Sequence, residues 1–230
     1  MTIQEIHEKF LHFYDKQSNY SAPEITAEEI DIYLNREQSD LVDSVAARGF
    51  ERNGEYSDYL KNLTVSYNTN TITPGTKPNT YLVPIPSTYR SALLEELDLN
   101  YIDCNGTTVN TRIPVVPITR DEYNELLYDP FNKPWKEEVK RISQANNFFE
   151  IICSTGLTPV RYYLDYIKIP VRMAYSTVYA NPQPDVQCEL DEKAQEIIID
   201  KAVLRALKTL GDPRINLENL EYQSQINKIK

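Results

Sequence analysis

The chain has 230 residues, 41% hydrophobic and 25% charged, which is enough apolar material for a packed core and rules out wholesale disorder. Its 24 basic and 34 acidic residues leave a net charge of −10, without the positive footprint needed to wrap nucleic acid or to hold an anionic membrane. Two His and three Cys supply few ligands or nucleophiles, so composition leans away from a metalloenzyme.

The chain opens on Met1-Thr2-Ile3-Gln4-Glu5-Ile6, with no basic stretch leading into an apolar one, so no secretory signal is expected. No run reaches the ~18 apolar residues that span a bilayer. Thr2 with Glu5 forms a capping box, and Ile6, Phe10 and Phe13 or Tyr14 follow at helical spacing. After a break at residues 18–23, a second box, Thr26 with Glu29, opens a helix carrying Ile30, Leu34, Leu41 and Val45, with Gly49 as its stop. A short helix is expected over residues 57–63. His7 and His12 lie five apart and share no helical face, so solvated or half-packed positions are expected for both. Residues 1–63 hold 13 acids and six bases, so −7 of the −10 lies here. Such an excess reads as a solvated helical face or, more pointedly, as a surface that does not adhere to a passing polyanion.

Residues 64–80, with Thr, Asn, Pro and Gly dominant from residue 68, read as a long loop. Tyr81, Leu82 and Val83 read as a short strand, and Leu97, Leu99 and Tyr101 alternate along a half-buried one. Asn105-Gly106 signals a type I′ hairpin turn, in which both central residues take positive φ. The return strand puts Val109, Thr111, Ile113 and Val115 on one face, and Pro114 and Pro117 place it at a sheet edge or end it early. Thr119 with Glu122 opens a short helix to Tyr128.

The loop Asp129-Pro130-Phe131-Asn132-Lys133-Pro134-Trp135 presents Phe131 and Trp135 on a path fixed by two prolines. Strands are expected over residues 148–153 and 160–169. In the second, Tyr162, Leu164 and Tyr166 face one side and Tyr163, Asp165 and Ile167 the other, large apolar area on both faces. Asp191 caps a helix reaching Leu210. Leu190, Ala194, Ile197, Leu204 and Leu207 form one apolar stripe along it, and Ile199, Val203, Ala206 and Leu210 a second, which implies burial on two sides. Residues 212–230 carry spaced apolar anchors, Tyr222 among them, and read as a docking tail.

No nucleotide-binding glycine loop, serine elbow or zinc helix motif is present. Cys104, Cys153 and Cys188 lack CxxC spacing and read as reduced thiols. The acid pairs Glu28-Glu29, Glu95-Glu96 and Glu137-Glu138 are expected to be exposed rather than catalytic. The unusual count is 17 Tyr against 6 Phe and 1 Trp. Tyrosine brings stiff contact area with a polar end, which suits surfaces buried against partners as well as a Tyr-rich core. Together with the doubly striped helix and the tail, it makes Phe131, Trp135, Tyr162, Tyr163, Tyr166, Ile199, Val203, Leu210 and Tyr222 the candidate interface residues. No catalytic, metal or cofactor residue is expected.

The order of several motifs carries a resemblance. A helix reads Ile32-Tyr33-Leu34-Asn35-Arg36-Glu37-Gln38, followed by Arg48-Gly49-Phe50-Glu51. Pro86-Ser87-Thr88-Tyr89-Arg90, Ile118-Thr119-Arg120-Asp121-Glu122 and Leu127-Tyr128-Asp129-Pro130-Phe131-Asn132-Lys133-Pro134-Trp135 come next. Tyr163-Leu164-Asp165-Tyr166-Ile167-Lys168-Ile169-Pro170 and Cys188-Glu189-Leu190 precede the last helix. Over residues 30–210 this succession resembles the ring proteins of crAss-like bacteriophages, which stack below the portal in the head–tail connector. The resemblance implies a non-enzymatic virion protein, a homo-oligomer with the twelve-fold symmetry of the portal, made in the bacterial cytoplasm. Its partners would be the portal, neighbouring ring or tail proteins and phage DNA passing without sequence-specific contact, with no membrane. A partner- or cargo-binding module of the tail is the alternative, and an enzyme the weakest reading. The expected fold is α+β: an antiparallel β domain, sandwich- or barrel-like, flanked by N-terminal helices and a long C-terminal helix. Residues 1–63 form the helical N-terminal part, 64–188 the β-rich domain with one short helix, and 189–230 the C-terminal helix and tail.

Overall fold

A computed structural model describes residues 1–17, 23–48, 59–128, 133–145, 147–176 and 184–209. In chain order its elements are α1 (Ile3–Gln17), α2 (Ala27–Arg48), a 3-10 turn (Lys61–Leu63), β1 (Thr64–Thr69), β2 (Thr73–Pro74), β3 (Thr80–Pro84), β4 (Tyr89–Ile102), β5 (Thr108–Pro117), α3 (Arg120–Tyr128), β6 (Val139–Gln144), β7 (Phe148–Ile152), β8 (Thr158–Lys168) and α4 (Glu192–Thr209). The fold is α+β. The chain divides into two compact units, Met1–Leu63 with Pro170–Lys230, and Thr64–Ile169.

All three capping boxes form. Each Thr hydroxyl accepts the N–H of the Glu three residues on, and each Glu carboxylate accepts the Thr N–H: 3.2 and 2.8 Å at Thr2/Glu5, 3.3 and 2.9 Å at Thr26/Glu29, and 3.3 and 2.6 Å at Thr119/Glu122. In the helical unit, Ile3, Ile6, Phe10 and Tyr14 of α1 are buried, as are Ile30, Leu34, Leu41, Val42 and Val45 of α2. On α4 the buried positions are Ala194, Gln195, Ile198, Ile199, Ala202, Val203, Ala206 and Leu207. Adjacent pairs recurring every four residues make one broad face rather than two separate stripes, and Ile197 and Leu204 of the first expected stripe are only half-buried. Arg205 of α4 reaches α2, pairing with Glu37 and, at 2.8 Å, with Asp40.

The segment after Pro170 belongs to this helical unit, and polar side chains of α2 hold it there. Asn35 clasps Met173 from both sides, its Nδ2 donating to the Met173 carbonyl at 2.8 Å and its Oδ1 accepting the Met173 N–H at 2.7 Å. Asp31 accepts the Tyr175 N–H at 3.1 Å and lies 2.8 Å from His7 Nε2, while Gln38 donates to the Val171 carbonyl. His7 is therefore buried and paired, further inside than the solvated or half-packed position that its spacing suggested.

The second unit is an eight-stranded sheet in the order β1-β8-β4-β5-β6-β7-β3-β2, antiparallel except for β5–β6. Four strands exceed the sequence expectation. β1 and β2 lie within the stretch read as loop, β4 begins at Tyr89, and β6 gave no signal at all. β5 sits inside the strand order, not at an edge. It pairs with β4 up to Pro114 and with β6 from Val115 to Pro117, so its prolines fall where one partner gives way to the other and where pairing ends. The hairpin between β4 and β5 is not of type I′. Only Gly106 has positive φ, at 76°, and Asp103 closes the turn by accepting the N–H groups of Asn105 at 2.8 Å and Thr107 at 2.9 Å.

The sheet curls so that strands distant in its order pack face to face. Phe149 of β7 lies edge-on to Tyr162 of β8 with ring centroids 6.3 Å apart, and to Tyr89 of β4 at 5.4 Å. Val83, Leu97, Leu99, Ile113, Val115, Val139, Ile151 and Leu164 complete this interior. Tyr123 of α3 covers Ile142 and Ile152 on the opposite face of β6 and β7.

Candidate assembly surfaces

A charge sits inside the curled sheet. Glu95 of β4 is 7% exposed, against the expectation that the Glu95-Glu96 pair is solvated. It receives Arg141 Nε at 2.8 Å, Arg141 Nη2 at 2.6 Å and the Tyr162 hydroxyl at 2.6 Å. Arg141 also donates to Ser143 Oγ at 2.9 Å and lies over the Phe149 ring at 4.0 Å. Burial alone would lower the Arg141 pKa, but the hydrogen bonds and charge of Glu95 outweigh it and hold the guanidinium above its ordinary value. Burial, with Glu95 beside it, drives the Tyr162 phenol far up. Arg141 and Tyr162 both converge on the Glu95 carboxylate, so the cluster braces the sheet across β4, β6 and β8. Burial also pushes the Cys153 thiol up to about 12, which keeps it protonated and inert.

Of the six candidate interface residues that are described, four fall into cores. Tyr162 and Tyr166 share the inner face of β8, the latter with its hydroxyl 3.0 Å from Thr88 Oγ1, and Ile199 and Val203 lie in the helical core. Tyr163 points outward. Its hydroxyl donates to Asp98 at 2.8 Å and its ring lies 3.9 Å from the Arg112 guanidinium carbon, so it is one rung of a polar ladder across β8, β4 and β5. Trp135, the single tryptophan, is 60% exposed, and its backbone is fixed by reciprocal hydrogen bonds with Glu138 of 2.9 and 3.2 Å. Phe131, Leu210 and Tyr222 lie outside the described residues.

The helical unit presents acids. Met1, Glu5, Glu8, Lys9, His12 and Glu192 line an open depression between α1 and the start of α4. Among the described residues no group of three or more His, Cys, Asp or Glu could hold a metal, and no helix is long and apolar enough to cross a membrane.

The two sheet edges differ. β1 pairs with β8 from Thr64↔Ile167 to Thr69↔Tyr162 and ends the strand order on one side, while two-residue β2, containing Pro74, ends it on the other. Sequence reasoning missed Glu95, Arg141 and the Asp31/Asn35 clasp. The polar spacing Asp31, Asn35, Gln38 along one face of α2 was the available signal for the clasp.

A family model described as phage tail ring protein 3/4 matches residues 1–211. The chain is also similar to "Ring protein 3" of Bacteroides phage crAss001, 25% identical over 191 residues that cover 77% of each chain.

Proposed function

This chain belongs to the phage tail ring protein 3/4 family of crAss-like phages, and from that premise we propose that its ring is part of the head–tail connector, below the portal and around the path of exiting DNA. The family match over residues 1–211 carries this reading. The finer points are twelve-fold symmetry, contact with the portal and with neighbouring ring or tail proteins, synthesis in the host cytoplasm, and a role made of contact rather than catalysis.

Two structural features support it. A subunit of a closed ring needs two different faces that fit one another. Tyr163 on the outer sheet face and the exposed Trp135 offer aromatic surface of the kind that concentrates binding energy. The exposed acids Glu5, Glu8, Glu28 and Glu29 of the helical unit, placed towards the channel, would keep DNA from adhering. The exposed Trp135 also favours a second reading, in which the same loop grips a tail partner or cargo.

Mass photometry and electron microscopy of the purified chain, alone and with portal protein, test the ring. The expected result is a closed particle of twelve times the 26.7 kDa chain mass. A strict monomer in both conditions overturns the proposal.

A further inference from the structure

Natural sheets blunt their edges with short strands, prolines or charges, because an open edge recruits another chain. The β2 edge follows that rule. It is two residues long, contains Pro74, and the β3 strand behind it ends in Pro84. β1 does not. Its six residues, Thr64-Val65-Ser66-Tyr67-Asn68-Thr69, carry no charge and no proline, and among the described residues β8 is its one strand partner.

The core beneath this edge is incompletely covered. On β8 the inward side chains Tyr162, Leu164 and Tyr166 are 0%, 1% and 4% exposed. Next to them, inward Val65 and Tyr67 of β1 are only half-buried although they pack on the same core. One more strand would finish the burial.

We propose that the strand added to β1 is the C-terminal tail, residues 212–230, of a second copy of this chain. This rests on the ring reading and names the contact that links subunits. The chain continues for 21 residues after α4 ends at Thr209. At ~3.3 Å per extended residue it reaches roughly 70 Å, ample to cross to a neighbour. The tail contains two runs of strict alternation, Ile215-Asn216-Leu217-Glu218 and Leu220-Glu221-Tyr222-Gln223. That is the period of a strand with one apolar face. No proline follows Pro213, so every N–H beyond it can join a ladder. Paired with β1, the second run sets Leu220 and Tyr222 beside Val65 and Tyr67, and Glu221 on the solvent side with Ser66 and Asn68. The family match ends at residue 211, so the tail lies outside the matched region.

The test uses the full chain with a photo-crosslinking amino acid, p-benzoylphenylalanine, in place of Ser66. Unlabelled and 15N-labelled protein are mixed, assembled and irradiated, and the linked peptides are read by mass spectrometry. The expected product joins β1 to a tail peptide, with mixed-isotope pairs as abundant as same-isotope pairs. In parallel, amides 65–69 of the unsubstituted chain should exchange about tenfold more slowly in the ring than in the dilute monomer. Same-isotope pairs alone would mean that the tail folds back on its own sheet, which overturns the second-copy link. Rings that form without tail crosslinks or slowed exchange overturn the inference and leave the ring reading standing. A chain that never assembles removes the ring reading itself.

Discussion

The two units are held together in different ways. The sheet unit is one continuous stretch of chain with 12 acids and 10 bases, close to neutral, and inside its curl the Glu95 charge is paired with Arg141. The helical unit joins the two chain ends, carries 22 acids against 14 bases, and secures its returning segment with the neutral amide of Asn35 and the His7–Asp31–Tyr175 contacts. Self-repulsion is tolerable where charge is spread over solvated helix faces. In the interior of a curled sheet a charge is tolerable only when fully matched. The sheet therefore risks more on each polar contact, and the helical unit spreads its risk.

The sharpest way to break this contrast is Glu95→Ala. It leaves the Arg141 guanidinium buried without its carboxylate, at a cost of roughly 3–5 kcal/mol. Urea unfolding should show a tertiary signal of the sheet, near-ultraviolet tyrosine dichroism, lost well before helical dichroism. The double replacement Glu95→Leu with Arg141→Met should recover most of the loss, because removing both charges also removes their desolvation. A double variant as weak as the single one would mean that the pair stabilises beyond its own neutralisation.

Asn35→Ala is the corresponding cut in the helical unit and should cost less. It orphans both backbone groups of Met173, at about 1–3 kcal/mol if they stay buried. Faster hydrogen exchange at Met173 and Tyr175 with unchanged exchange in β4 and β8 would localise the damage. Asn35→Asp keeps the acceptor for the Met173 N–H and should fall between wild type and Asn35→Ala. Equal losses in both variants would count against the clasp.

Legibility in the sequence followed the same divide. Helices announced themselves through local chemistry, and Thr2/Glu5, Thr26/Glu29 and Thr119/Glu122 all became capping boxes because such a motif needs only four residues of chain. Strand β6 stayed invisible because its inward position is Arg141, which breaks the apolar alternation that identifies a half-buried strand. The partner that makes an inward arginine tolerable, Glu95, is 46 residues away. β1 was hidden by Thr and Asn, whose turn preference outweighed the alternation of Val65 and Tyr67 until β8 lay beside it. Tyr162 and Tyr166 were rightly placed on one face, but only the curl of the sheet made that face a core instead of a surface.

The smallest expected effect lies on the outer face of the same sheet and follows from pH. Asp98 is partly desolvated, which alone would raise its pKa, yet hydrogen bonds from Arg112 and Tyr163 and the nearby charges of Arg112 and Arg161 hold it below its ordinary 3.8. A carboxyl lowered in the folded chain adds stability that is complete above 3.8 and fades as pH falls through the folded value. Asp98→Asn should therefore be destabilising at pH 7, by no more than about 1 kcal/mol because the ladder faces water. The gap between variant and wild type should close as the medium is acidified below 3.8. Added salt should narrow it further at neutral pH, whereas the Glu95→Ala deficit, inside the sheet, should hardly respond to salt. Urea midpoints of both variants against pH and salt measure this difference directly. If the two deficits responded alike to salt, the outer ladder and the inner pair would share one electrostatic environment, and the contrast between the buried interior and the solvated surface would fail.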